Sequence, residues 1–134
     1  MIFLDTSFVV AYYNNRDSNH DKALKLMRVL ESGRYGHFCM TDYIFSECAT
    51  VIFVRLKNLL KTAKIGDDIT RITRIFITGK DVFEDSWQIF KSQENTKLSF
   101  ADCSIVSFMK RAKIKHIATF DEDFNRISGI TAVS

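Results

Sequence analysis

Met1-Ile2-Phe3-Leu4-Asp5-Thr6-Ser7 opens the chain with four apolar residues, an acid and two hydroxyls. A run of four apolar residues is too short for a stable helix. It suits a strand covered on both faces, as strands of parallel sheets are. An acid directly after such a run stands at the strand's carboxyl end. The same figure returns late in the chain, where His116-Ile117-Ala118-Thr119-Phe120 runs into Asp121. A second strand is read at His37-Phe38-Cys39-Met40 and a last one near Ile130 to Val133.

Between these strands the spacing is helical. Ser7 is read as the cap of a helix over Phe8 to Tyr13, and Ser18 with Asp21 resembles a capping box. Ala23, Leu26, Met27 and Leu30 then recur at i, i+3, i+4 and i+7, and Gly33 and Gly36 end that helix. Asp42 is placed as the cap of a long helix reaching about Lys57. It is apolar on nearly every side until Arg55, which predicts a largely buried helix. Gly66 and the Asp67-Asp68 pair are read as opening another, with Ile69, Ile72, Ile75 and Phe76 on one face and a break at Gly79. Phe83, Trp87 and Phe90 mark the next. Ser99 caps the helix that carries Asp102, and residues 121–126 form a short helical turn. Short apolar strands alternating with helices predict an α/β fold, a three-layer α/β/α arrangement around a central, mainly parallel sheet.

With 134 residues and no linker, repeat or low-complexity stretch, the chain reads as one domain, 1–134. An apolar fraction of 46% excludes a disordered chain. The net charge of +3, from 19 basic and 16 acidic residues, permits an anionic partner without demanding one. Cys39, Cys48 and Cys103 form no Cys-x-x-Cys pair, which argues against zinc and thioredoxin-like sites. Their odd number, and a start without a basic n-region, fit a protein of the reducing cytoplasm. No apolar stretch approaches the roughly 18 to 20 residues that a membrane helix needs.

Four acids interrupt this apolar pattern: Asp5, Glu47, Asp102 and Asp121. Isolated charges are costly to bury, so acids so placed have partners or a metal. Ligands of parallel α/β sheets bind outside the strands' carboxyl ends, where Asp5 and Asp121 stand, with Glu47 early in the helix after the second strand. If the four converge, their hard oxygen ligands suit Mg²⁺ or Mn²⁺. Each also has a plainer reading. Asp5 and Asp121 suit helix N-caps, Asp102 suits the acidic member of a capping box begun by Ser99, and Glu47 suits a buried ion pair. Lys110, Arg111, Lys113 and Lys115 either meet phosphates or complement a helix C-terminus. Tyr12, Tyr13 and Tyr43 either stack bases or fill the core. His20, His37 and His116 lack ligand spacing.

Taken together, these motifs resemble the PIN domain (PilT N-terminal domain), a family of small metal-dependent ribonucleases. Phe3-Leu4-Asp5-Thr6-Ser7 looks like its first motif, Ser46-Glu47-Cys48 matches its second acid, Leu98-Ser99-Phe100-Ala101-Asp102-Cys103 is similar to its third, and Ala118-Thr119-Phe120-Asp121-Glu122-Asp123-Phe124 to its fourth. The resemblance implies an endoribonuclease in which Asp5, Asp102 and Asp121 hold Mg²⁺ or Mn²⁺ and Glu47 completes the site or positions the attacking water. Ser7 and Thr119 would bond these carboxylates, although a cap and an ordinary strand residue explain them as well. The size resembles VapC-like toxins, which implies an RNA substrate, a cognate antitoxin and a homodimer. A housekeeping RNA-processing nuclease and an inactive scaffold that binds RNA or protein are the alternatives. A phosphoacceptor receiver domain needs paired acids after the first strand, whereas Asp5 is followed by Thr6-Ser7.

Overall fold

In the computed structural model, which describes residues 1–134, the opening run forms β1 (Ile2–Leu4), buried along its length. There follow α1 (Thr6–Tyr13), α2 (His20–Glu31), β2 (Phe38–Thr41), α3 (Asp42–Leu56), α4 (Leu59–Ile72), β3 (Arg74–Phe76), α5 (Lys80–Lys91), α6 (Phe100–Ala112) and β4 (His116–Ala118). A short 3-10 helix (Glu122–Arg126) and β5 (Thr131–Val133) complete the chain. The five strands form one sheet in the order β3-β2-β1-β4-β5, every pairing parallel, with the six α-helices flanking it. The α/β/α expectation therefore holds, and the sheet is wholly parallel.

Strand order reverses at β1: the chain leaves it first toward β2 and β3, then returns beside it as β4. In doubly wound sheets such a switch point opens a crevice at the carboxyl ends. The β1–β4 register, Phe3 with Ile117 and Leu4 with Ala118, brings Asp5 beside Thr119 at that edge. The Asp5 N–H continues the ladder, donating to the Ala118 carbonyl at 3.1 Å. The core gathers around these strands, with Phe3, Phe8, Ile44, Cys48, Ile105, Met109, Ile117 and Phe124 fully buried.

Several local expectations are corrected. The helix does not run on to Phe76: it ends at Ile72, and Ile75 and Phe76 lie in the edge strand β3. The helix before it starts earlier, because Asn58 caps α4 by accepting from the Lys61 N–H at 2.9 Å. Gly66 lies inside α4, where an added Cβ would meet the Phe45 ring at an ordinary 3.8 Å, so nothing there forces a break. The β-branched residues Thr73 and Ile75 then favour a strand.

Ser7 is not the cap of α1; Asp5 is, accepting from the Ser7 N–H at 3.3 Å. Ser18 and Asp21 form no capping box, since Asn19 stands at the N-cap of α2 without a side-chain bond. Thr41, not Asp42, is the N-cap of α3. The Asp42 carboxylate instead accepts from the N–H and hydroxyl of Thr78, at 3.1 and 2.9 Å, tying the end of β3 to the end of β2. Burial of α3 is partial: Ile44, Cys48 and Ile52 are covered, whereas Phe53 and Val54 are exposed, as are Leu59 and Leu60 of α4. Phe83, Trp87 and Phe90 mark α5 as read, but on its solvent side; its buried residues are Val82 and Ser86.

Candidate active site

Asp5, Glu47, Asp102 and Asp121 line one cavity of about 740 Å³ at the carboxyl edge of the sheet. Four separate elements deliver them. Asp5 follows β1, Glu47 lies one turn into α3, Asp102 lies in the first turn of α6, and Asp121 follows β4. Nothing but the tertiary fold brings them together.

Asp5 is held most tightly. Its Oδ2 accepts from the Ser7 hydroxyl at 2.5 Å and the Thr119 hydroxyl at 2.7 Å, besides the Ser7 N–H. Ser7 Oγ and Thr119 Oγ1 are 3.2 Å apart. Both also serve the loop after β4, the first accepting from the Phe120 N–H and the second from the Asp121 N–H, each at 3.0 Å. The hydroxyls therefore join two strand ends and lock one oxygen of Asp5. Its Oδ1 has no protein donor and is not sealed from the cavity. Burial pushes the Asp5 carboxyl up to about 6. The Ser7 and Thr119 bonds oppose that rise, and the nearby Asp102 adds to it.

Asp102 completes the capping box expected of it. Its Oδ2 accepts from the Ser99 N–H at 2.8 Å, and Ser99 Oγ accepts from the Asp102 N–H at 3.1 Å. Burial raises its carboxyl above the usual range; the Ser99 bonds oppose this, and repulsion from Asp121 and Glu47 reinforces it. Asp121 caps the 3-10 helix, accepting from the Asp123 N–H at 2.9 Å. Capping and facing the cavity are thus not alternatives for Asp5, Asp102 and Asp121. Each anchors one oxygen on a helix N-terminus, where the helix dipole favours negative charge.

Glu47 has no basic partner. Its Oε2 accepts from the Thr6 hydroxyl at 2.5 Å, a bond between α3 and the first residue of α1. Nothing in the sequence marks Thr6, since a hydroxyl at the first position of a helix is ordinary without its partner in view. Arg16, Asp17, Asn19 and Arg55 also line the cavity, and no sequence motif marks them.

The lining carries carboxylates and hydroxyls and no Cys or His, a donor set that fits a hard divalent cation. No three His, Cys, Asp or Glu side chains stand close enough to ligate one ion directly. Unneutralised carboxylates repel one another, and hydrogen bonds to separate helices hold these apart.

The remaining candidates lie elsewhere. Arg111 pairs with Asp81 at 3.0 Å and Asp85 at 2.5 Å, bracing α6 against α5. Lys113 and Lys115 stand just before β4, at the amino edge of the sheet, opposite the acids. Tyr13 donates to Asp68 and joins α1 to α4, and Tyr12 packs edge-on against it. Tyr43 meets the Phe100 ring. The His20 ring bonds the Ala11 carbonyl at 2.7 Å.

Comparison with known proteins agrees with this fold. The PIN domain pattern matches residues 2–130. The 23S rRNA-specific endonuclease VapC20 of Mycobacterium tuberculosis is 24% identical over 125 residues, which is 93% of this chain and 92% of that protein. The crystal structure of M. tuberculosis VapC20, described as a Sarcin-Ricin loop cleaving toxin, superposes with a TM-score of 0.84 at 23% identity, covering 99% of this chain and 98% of that one. VapBC2 from Rickettsia felis, bound to a promoter DNA fragment, gives 0.74 at 14% identity over 99% and 98% of the two chains. A toxin–antitoxin complex from Klebsiella pneumoniae gives 0.68 at 17% over 100% and 97%. The solved structures share the fold, and the family pattern spans nearly the whole length: the chain belongs to the PIN domain family.

Proposed function

We propose that this protein is a metal-dependent endoribonuclease, the toxin of a type II toxin–antitoxin pair. The observation that carries the reading is the convergence of Asp5, Glu47, Asp102 and Asp121 on one cavity at the switch point of a PIN fold. The relatives that match along the whole chain support the RNA substrate and the antitoxin: one is named as a 23S rRNA-specific endonuclease and another was solved as a toxin–antitoxin complex. A structured RNA is the substrate class, and the cytoplasm is where the protein acts. No helix is long and apolar enough to cross a membrane.

In this reading Asp5, Asp102 and Asp121 would hold Mg²⁺ or Mn²⁺, directly or through water, with the oxygens that their helix caps leave open. When bound, the cation lowers the pKa of a water and neutralises charge on the phosphate. The chain's own groups do the positioning. Ser7 and Thr119 fix Asp5 by saturating its Oδ2. Thr6 holds Glu47 Oε2, which leaves Oε1 to orient the attacking water. Exposed apolar side chains on α3, α4 and α5, among them Val54, Leu60 and Trp87, support self-association and antitoxin docking. The homodimer is checked by light scattering of the purified protein.

The test is cleavage of a labelled RNA pool containing ribosomal RNA, with Mg²⁺, Mn²⁺ or EDTA, by wild type and Asp5→Asn. Metal-dependent cleavage that the variant loses is the expected result. A fully active Asp5→Asn protein, or cleavage undiminished in EDTA, would overturn the assignment.

A further inference from the structure

The cavity that holds the acids is walled by five carboxylates and only two cations, Arg16 and Arg55. A polyanion entering it must find attraction from those cations or from metal. Arg55 is already committed: its Nη1 lies 2.9 Å from Asp17 Oδ2. Arg16 is not. Its guanidinium forms no ion pair and donates no hydrogen bond to the protein, and the side chain is exposed.

The loop that carries Arg16 is nevertheless well anchored. The Arg16 N–H donates to Asn14 Oδ1 at 3.1 Å, and the Asp17 N–H to the Asn14 carbonyl at 3.0 Å. Asp17 Oδ1 accepts from the Asn19 N–H at 2.9 Å while its Oδ2 holds Arg55, so the loop is fastened to α3 on the same face as Glu47. A fixed backbone places an unengaged guanidinium beside the cavity, free to bind an anion, and only the side chain itself remains to be ordered. Arginine offers a planar, bidentate donor pair that matches phosphate oxygens.

We propose that Arg16 binds a backbone phosphate of the RNA strand next to the one that is cleaved, with the Arg55–Asp17 pair holding its loop in place; this rests on the nuclease reading above. One unpaired cation at the mouth of an acidic cavity gives the strand a fixed point from which the neighbouring phosphodiester reaches the carboxylates.

The experiment measures binding of a fluorescent single-stranded oligoribonucleotide to the full chain in EDTA, between about 50 and 200 mM salt. Wild type, Arg16→Ala and Arg16→Lys are compared, with a melting curve for each. The expected result is an affinity about tenfold lower for Arg16→Ala, equivalent to one charge-assisted hydrogen-bonded contact. The slope of log affinity against log salt falls by about 0.7, one phosphate contact on a single strand. Arg16→Lys keeps the slope and loses part of the affinity. Equal affinity and slope for wild type and Arg16→Ala would overturn the proposal, as would a wild type that binds no RNA in this range. Cleavage is scored separately. A wild type that binds RNA through Arg16 but cuts nothing with Mn²⁺ refutes the nuclease reading while upholding the contact, and active enzyme with an indifferent Arg16 does the reverse.

Discussion

Thr119 donates a hydrogen bond to Asp5 Oδ2 at 2.7 Å, joining residues 114 positions apart in sequence. The bond ties the carboxyl end of β1 to that of β4 and decides which oxygen of Asp5 remains open. Because Ser7 occupies the same oxygen at 2.5 Å, Asp5 is left one outward-facing oxygen in an otherwise buried setting. That arrangement suits a metal ligand and burdens the metal-free fold.

Asp5→Asn is therefore expected to abolish cleavage and to stabilise the protein in EDTA at pH 7. The amide oxygen can take over the bonds from Ser7 and Thr119, and the buried charge is gone. An acid raised from 3.8 to about 6 by folding binds more protons folded than unfolded. Its contribution to stability falls as pH rises from the lower value through the higher one. The variant's advantage should be of order 2–3 kcal/mol above pH 6 and vanish below about pH 4. Thermal melts of both proteins across that range check it; an advantage that grows toward acid pH would contradict the assignment.

Divalent cation should reverse this burden. Mn²⁺ is expected to raise the wild-type melting temperature in a concentration-dependent way, the gain in unfolding free energy reaching about 2.7 kcal/mol at a hundredfold excess over Kd. Asp5→Asn and Asp102→Asn should respond far less. A melt indifferent to Mn²⁺ would argue against a metal at these residues.

Thr119→Val keeps a β-branched residue at a buried position but removes the bond to Asp5 and the acceptor of the Asp121 N–H. A loss of about 1–3 kcal/mol is expected from the unpaired groups. The metal concentration for half-maximal cleavage should rise by about 10- to 100-fold, as for other residues that orient a ligand. Titration of activity with Mn²⁺ separates this from loss of fold.

Arg111→Ala tests a basic residue that the structure removes from the site. Its ion pairs with Asp81 and Asp85 are solvent-exposed, so their loss should cost about 1 kcal/mol or less. RNA cleavage and its salt dependence are expected to stay unchanged, and a marked drop in RNA affinity would place the substrate on α6 instead.

Thr73→Val addresses a buried hydroxyl that finds no partner. Replacing it by a methyl removes an uncompensated polar atom without changing shape, so stability should be unchanged or rise by about 1 kcal/mol. A clear destabilisation in urea unfolding would reveal a partner for that oxygen.

The sequence by itself determined the features whose causes are local. Short apolar runs, too brief for a helix, read as buried strands, so β1, β2 and β4 were legible, and the Ser99–Asp102 capping box was readable because both partners lie within one turn. The rule for parallel sheets then placed Asp5 and Asp121 at one edge. Tertiary structure alone decided the rest. Asp5 and Ser7 both suited the cap of α1, and Thr119 became a partner of Asp5 only when β4 returned beside β1. Thr6 found Glu47 41 residues away, and Arg16 was left unpaired because Asp17 turned to Arg55. Ile75 and Phe76 fitted a helical face equally well until an earlier start for α4 made them an edge strand. Apolar Val54 and Trp87 were exposed because nothing in the fold lies over them. Propensity and capping act over a few residues, whereas a hydrogen-bond partner or a covering element across the chain is set by strand order and packing, which no local stretch encodes.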